Sequence, residues 1–103
     1  MTVSQALLEF LAHQWTVDGD HRERTIAGTF GIFGHGNVAG LGQALKQLSV
    51  DEPGLMPYHQ ARTEQAMVHQ AVGYARLRRR LGTFASAASV GPGAANMLTG
   101  AAL

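Results

Sequence analysis

Three times along this chain a short β-prone run gives way to a glycine-rich or polar turn and then to helical spacing. TFGIF at 29–33 ends in Gly34-His35-Gly36, and residues 38–48 follow with Val38, Leu41, Ala44, Leu45 and Leu48 at helical intervals. Residues 56–61 give a second strand, with a long helix over 62–80 behind it. GTFASA at 82–87 gives a third, broken by Gly91-Pro92-Gly93 before AANMLTGAAL begins another helix. Successive strand–turn–helix units can bury both faces of their strands only in a parallel sheet flanked by helices, so the fold class is α/β.

Before the first strand, residues 5–15 have amphipathic helical spacing, with Ser4 as N-cap and Ala6, Leu7, Phe10 and Leu11 facing inward. TVDGDHRER at 16–24 is polar and turn-rich and is expected to be a loop. DEPGLMP at 51–57 carries two prolines and reads as a turn. Three strands make a thin sheet, and the last helix stops on GAAL without a cap. The expectation is the front portion, 1–103, of a larger α/β domain.

Of the 103 residues, 46% are hydrophobic and only 15% charged, which suggests a surface partly covered by further protein. The formal net charge of +1 gives no electrostatic reason to expect nucleic acid or an anionic membrane as partner. There is no cysteine, hence neither disulfide nor thiol chemistry. Glu9, His13 and Gln14 interrupt the N-terminal segment, which lacks the pattern of a signal peptide, and no apolar run is long enough to span a bilayer. A cytoplasmic protein is the expectation.

Ligands of open parallel sheets bind beyond the carboxyl ends of the strands. Gly34–Asn37, Arg62–Gln65 and Ser89–Gly93 follow the three strands and share that edge. RTEQAMVHQAVGYAR at 62–76 places Glu64, Val68, Ala71 and Ala75 on one narrow stripe of a helix. Three of the four are small and apolar, so the stripe should lie against protein. An acid at its head either compensates the helix dipole or has a job. Glycines 34, 36 and 40 also fit a loose dinucleotide-binding loop, with Glu64 near the place of its ribose-binding acid. The five histidines show no metal-clamp spacing, although His35 lies in the first edge loop. Arg76, Arg78, Arg79 and Arg80 suit the C-terminal end of the long helix by the same dipole rule.

RTEQAMVHQAVGYAR resembles the helix of thiamine-diphosphate enzymes that carries their catalytic glutamate. SVGPGAANMLTGAAL resembles the G-P-G-A-T-N segment that follows in the same enzymes, and GIFGHGNVAGLGQAL the first strand–loop–helix of their pyrimidine-binding domain. The chain is therefore identified as similar to the acetolactate synthase-like family. The resemblance implies an incomplete three-layer pyrimidine-binding domain, the central and diphosphate-binding domains lying elsewhere. It implies that Glu64 is catalytic, hydrogen-bonding N1′ of the cofactor's aminopyrimidine and favouring the imino tautomer that deprotonates thiazolium C2.

By the same resemblance Gly36, Gly91, Pro92, Gly93 and Asn96 contact or steady the cofactor, while His35 and Asn37 contact substrate. Ala95 stands where the family usually has threonine, and Ala87 and Ala88 where hydroxyl side chains are common. FGHGN and MPYHQAR point within the family to the branch that hydrolyses a C–C bond of a cyclic trihydroxy-1,2-dione in inositol catabolism. A decarboxylating, acetolactate synthase-like member is the alternative. Thiamine diphosphate and Mg2+ are the implied cofactors, and a second subunit of a homodimer or homotetramer the implied partner. The magnesium-binding G-D-G…N pattern is missing from these residues, so no metal ligand is assigned. This segment alone is expected to be inactive and to bind the cofactor weakly. Outside the family stand a nicotinamide dinucleotide-binding domain and a non-catalytic interaction module.

Overall fold

The computed structural model describes residues 2–32, 37–89 and 91–102. His35 and Gly36 lie outside the described residues. Helix α1 (Val3–Ala12) leads into an antiparallel hairpin, β1 (Trp15–Asp18) and β2 (His21–Arg24), and then into β3 (Ile26–Gly31). A π-helical turn (Asn37–Gly42) runs directly into α2 (Gln43–Asp51). β4 (Tyr58–Gln60), α3 (Glu64–Leu77), β5 (Thr83–Ala87) and α4 (Pro92–Ala101) complete the described chain.

β3 is the central strand of a parallel sheet ordered β4-β3-β5, so the expected α/β architecture is present. A register shift between Ile26 and Thr29 turns β3 over partway along its length. Ile26 consequently packs with Leu8, Ala12, Ala44, Leu45, Leu55 and Met56, the core beneath α1 and α2. Phe30 points to the opposite face, where its ring stacks on Phe84 at 4.6 Å and Tyr74 of α3 meets Phe84 edge-on at 4.9 Å. Helices thus cover both faces of the sheet. Met67 of α3 is fully buried, and Ala71 lies one helical turn beyond it, also buried.

Two expectations about the N-terminal third are corrected. The polar segment 16–24 is mostly a hairpin, not a loop: Trp15 pairs with Arg24 and Asp18 with His21. Gly19 takes a φ of 61°, supplying the positive φ that a two-residue hairpin turn needs at its first central position. Arg22 lies 4.1 Å from the centre of the Trp15 ring, so a cation over an aromatic face replaces apolar cross-strand packing. In α1 the N-cap is Thr2, not Ser4; its hydroxyl accepts from the Gln5 N–H while the Gln5 side chain accepts from the Thr2 N–H. The buried face is Leu8 and Ala12 with Leu11 beside them, and Leu7 and Phe10 are exposed.

The hairpin is fastened to the far end of α3. Arg78 donates from Nε and a terminal nitrogen to both oxygens of Glu23, at 3.2 and 3.0 Å, and His21 Nε2 lies 2.7 Å from the same carboxylate. Those bonds hold the Glu23 carboxyl below the usual carboxylate range. The basic end of the long helix therefore has a structural use in which Arg78 is the anchor.

Candidate functional site

Thr63 has extended backbone and its hydroxyl accepts from the Ala66 N–H at 3.0 Å, which makes it the N-cap of α3. Glu64 is consequently the first residue of the helix, at the carboxyl edge of β4, and half-buried. On the next unit, Gly91 caps α4 with a φ of 67°, and Pro92 occupies the first helical position, where a missing N–H costs nothing. This sharp entry brings α4 alongside α3.

Glu64 and Val68, the first two residues of the stripe singled out in the sequence, lie against that helix. Asn96 Nδ2 donates to Glu64 Oε1 at 2.8 Å, and Gln65 Nε2 donates to Asn96 Oδ1 at 2.8 Å. One turn further along both helices, Val68 sits on Gly100. Gly93 faces the other carboxylate oxygen: a Cβ built there would be 3.3 Å from Glu64 Oε2 and 3.1 Å from Ser89 Cβ. The Asn96 amide, followed by the N–H of Glu64 itself, holds the Glu64 carboxyl below its ordinary value, against the opposing effect of partial burial. Helix-dipole compensation accounts for an acid at this position, but not for the side-chain amide delivered to it from a second helix.

Of the residues expected at the site, Glu64, Gly93 and Asn96 come together, with Gly91 and Pro92 forming the turn that sets them there. Asn37 stands beyond the carboxyl end of a different strand, its amide donating to the Ile32 carbonyl at 3.0 Å. Gln65 and Ser89 were not singled out as site residues. Gln65 directly follows the glutamate and Ser89 opens the third edge loop, but neither position signals the Asn96 side chain that Gln65 meets or the Gly93 backbone beside Ser89. Among the described residues no group of three or more histidine or acidic side chains could hold a metal ion, and no helix is long and apolar enough to cross a membrane.

A half-buried carboxylate, one oxygen bound by an amide and the other beside a glycine at a helix start on the carboxyl edge of a parallel sheet, defines an α/β domain equipped to receive a hydrogen-bond donor. Residues 22–102 match the N-terminal TPP binding domain of thiamine pyrophosphate enzymes, and the chain belongs to that family. Over 102 residues, 99% of the chain, it is 45% identical to the 3D-(3,5/4)-trihydroxycyclohexane-1,2-dione hydrolase of Geobacillus thermodenitrificans. The enzymes of the same name from Bacillus thuringiensis and Listeria monocytogenes are 44% identical over 99% of the chain and 42% identical over 98% of it. The chain spans 15% of the length of each of these relatives. No solved structure matches it. Its family uses thiamine diphosphate, and the match favours that cofactor over the dinucleotide reading of the first glycine loop.

Proposed function

We propose that this domain supplies the pyrimidine-binding carboxylate of a thiamine-diphosphate-dependent hydrolase that opens the ring of a cyclic trihydroxy-1,2-dione by cleaving a C–C bond. The observation that carries the reading is Glu64 itself. Asn96 fixes one of its oxygens, and the other adjoins the start of α4, kept free of side-chain bulk at Gly93. That arrangement fits an aminopyrimidine, whose protonated ring nitrogen is a single in-plane donor. The bound cofactor supplies a carbon nucleophile and an electron sink for the carbanion. The residues of this chain hold the ring, keep Glu64 ionised to accept from it, and exclude side-chain bulk from the approach. The identities of the relatives support the cyclic dione as substrate and inositol catabolism as the context.

Mg2+ and the diphosphate are held by other parts of the protein in this reading, and a second subunit completes the site. His35 and Asn37 contact substrate, Asn37 after its amide leaves the Ile32 carbonyl. The test is Glu64→Gln in the full-length protein. Turnover of the cyclic dione falls by roughly 10²–10⁴-fold, the range of a lost proton-transfer partner, while the thermal unfolding midpoint hardly moves. Near-normal turnover in that variant overturns the reading. Turnover of pyruvate, with none of the dione, assigns the protein to the decarboxylating branch instead.

A further inference from the structure

We infer that Asn96 is a positioning residue which, oriented by Gln65, commits Oε1 of Glu64 to the protein and leaves Oε2 as the oxygen that shares a proton with the bound ring. The inference rests on the proposed role of Glu64 and deepens it, since a carboxylate has two oxygens and only one can be the working atom.

The argument is one of donors and acceptors. An ionised carboxylate only accepts, so the amide beside Oε1 must present its NH2 group, as Asn96 does. The carbonyl of that amide then points away and needs a donor, which Gln65 Nε2 supplies. Both bonds are 2.8 Å long, and they connect α3 to α4 and back again. A proton placed on Oε1 would have to be donated to an acceptor, so the Asn96 amide would have to turn over. Gln65 would then have to turn as well, to offer its own carbonyl to the reversed NH2. A proton on Oε2 disturbs neither amide.

The surroundings agree with this division. Among the described residues, Asn96 and Gly93 from α4, Ser89 from the preceding loop, and Gln65 with the Glu64 N–H from α3 are the groups placed around this carboxyl, and none of these carries a charge. The two oxygens thus differ through hydrogen bonding and space, with no ion pair among the described residues to select between them. At Oε2 the neighbour is a glycine, whose missing Cβ would stand at 3.3 Å.

The experiment is an infrared titration of the Glu64 carboxyl in the full-length protein without cofactor, isolated as the difference from Glu64→Gln. Asn96→Leu raises the titration midpoint by removing the donor. The isosteric Asn96→Asp raises it too, by placing a second carboxylate beside the first, and serves if the leucine variant does not fold. Gln65→Leu raises the midpoint less, and adds nothing once Asn96 is leucine, because Gln65 acts only through Asn96. In wild type, thiamine diphosphate added with Mg2+ changes the Glu64 carboxylate bands, and Asn96→Asp weakens that binding.

An unchanged midpoint in both Asn96 variants overturns the proposal. Additive effects of Asn96→Leu and Gln65→Leu overturn the relay between the amides. Midpoints that shift as stated in a protein that binds no thiamine diphosphate by calorimetry overturn the role of Oε2 and the proposed function, while the orientation of Glu64 by Asn96 stands.

Discussion

Val68 and Gly100 touch so closely that a Cβ on the glycine would lie 2.9 Å from Val68 Cγ1. This contact sits one turn beyond the Glu64–Asn96 hydrogen bond on both helices, so α3 and α4 run in the same direction with their contacts in step. The distance between the helices at Gly100 therefore helps to set the distance between the carboxylate and its amide.

Gly100→Ala is expected to force the helices apart. Overpacking of this kind costs about 1–3 kcal/mol, only partly offset by the better helix propensity of alanine. The thermal unfolding midpoint of the full-length protein should fall, and Val68→Ala in the same molecule should restore much of it by making room.

Thr63→Ala should cost about 1 kcal/mol through loss of the N-cap, with Thr63→Ser close to wild type. Because Glu64 is the next residue, the alanine variant should also raise the dissociation constant for thiamine diphosphate. Thermal unfolding checks the first effect, and titration calorimetry on the three proteins checks the second. Equal cofactor affinity in all three would separate the cap from the site.

Glu23 gives a dependence on pH. Its folded-state pKa is depressed by bonds from His21 and Arg78, below the ordinary 4.5. The stabilisation is therefore fully present above 4.5 and is lost as pH falls through the lower, folded-state value. Glu23→Gln should lower the urea midpoint at pH 6 and have progressively less effect as pH drops below 4.5. A penalty that persists undiminished in acid would mean that packing, not charge, holds the hairpin to α3.

Thr29 on β3 is only 3% exposed, and its hydroxyl has no hydrogen-bond partner among the described residues. Replacing a buried, unsatisfied hydroxyl with a methyl of similar shape should stabilise by about 1 kcal/mol. Thr29→Val is thus expected to raise the unfolding midpoint of the full-length protein. A fall would reveal a partner for the hydroxyl elsewhere in that protein.

The parallel units were legible because each strand is followed by a turn that only glycine or polar residues can make, and then by a clear helical period. Glu64 was legible as an anomaly, an acid on a stripe otherwise made of Val68, Ala71 and Ala75. Its partner was not: Asn96 lies 32 residues away, and helical spacing says nothing about which side chain a later helix will present. The resemblance placed Asn96 near the cofactor, and the structure puts it on the carboxylate. The hairpin is not legible in the sequence because its strands are polar and lack an apolar alternation to read. Trp15 under Arg22 and Arg24 does the packing. In α1 the sequence VSQALLEFLA is apolar nearly all round, so the period could not choose between Leu7 with Phe10 and Leu8 with Ala12.

The sheet order β4-β3-β5 also has a consequence in time. The central strand is made first, and both of its neighbours come later in the chain, so on the ribosome β3 waits with two bare edges. Residues 58–60 close one edge and residues 83–87 the other, each pairing after a long excursion through a helix. Such non-local parallel pairing is slow to form and leaves an adhesive edge open in the meantime. The carboxylate emerges before the second edge closes, and the amide that disciplines it emerges after. Asn96 can therefore reach Glu64 only after the strand that closes the second edge has been made.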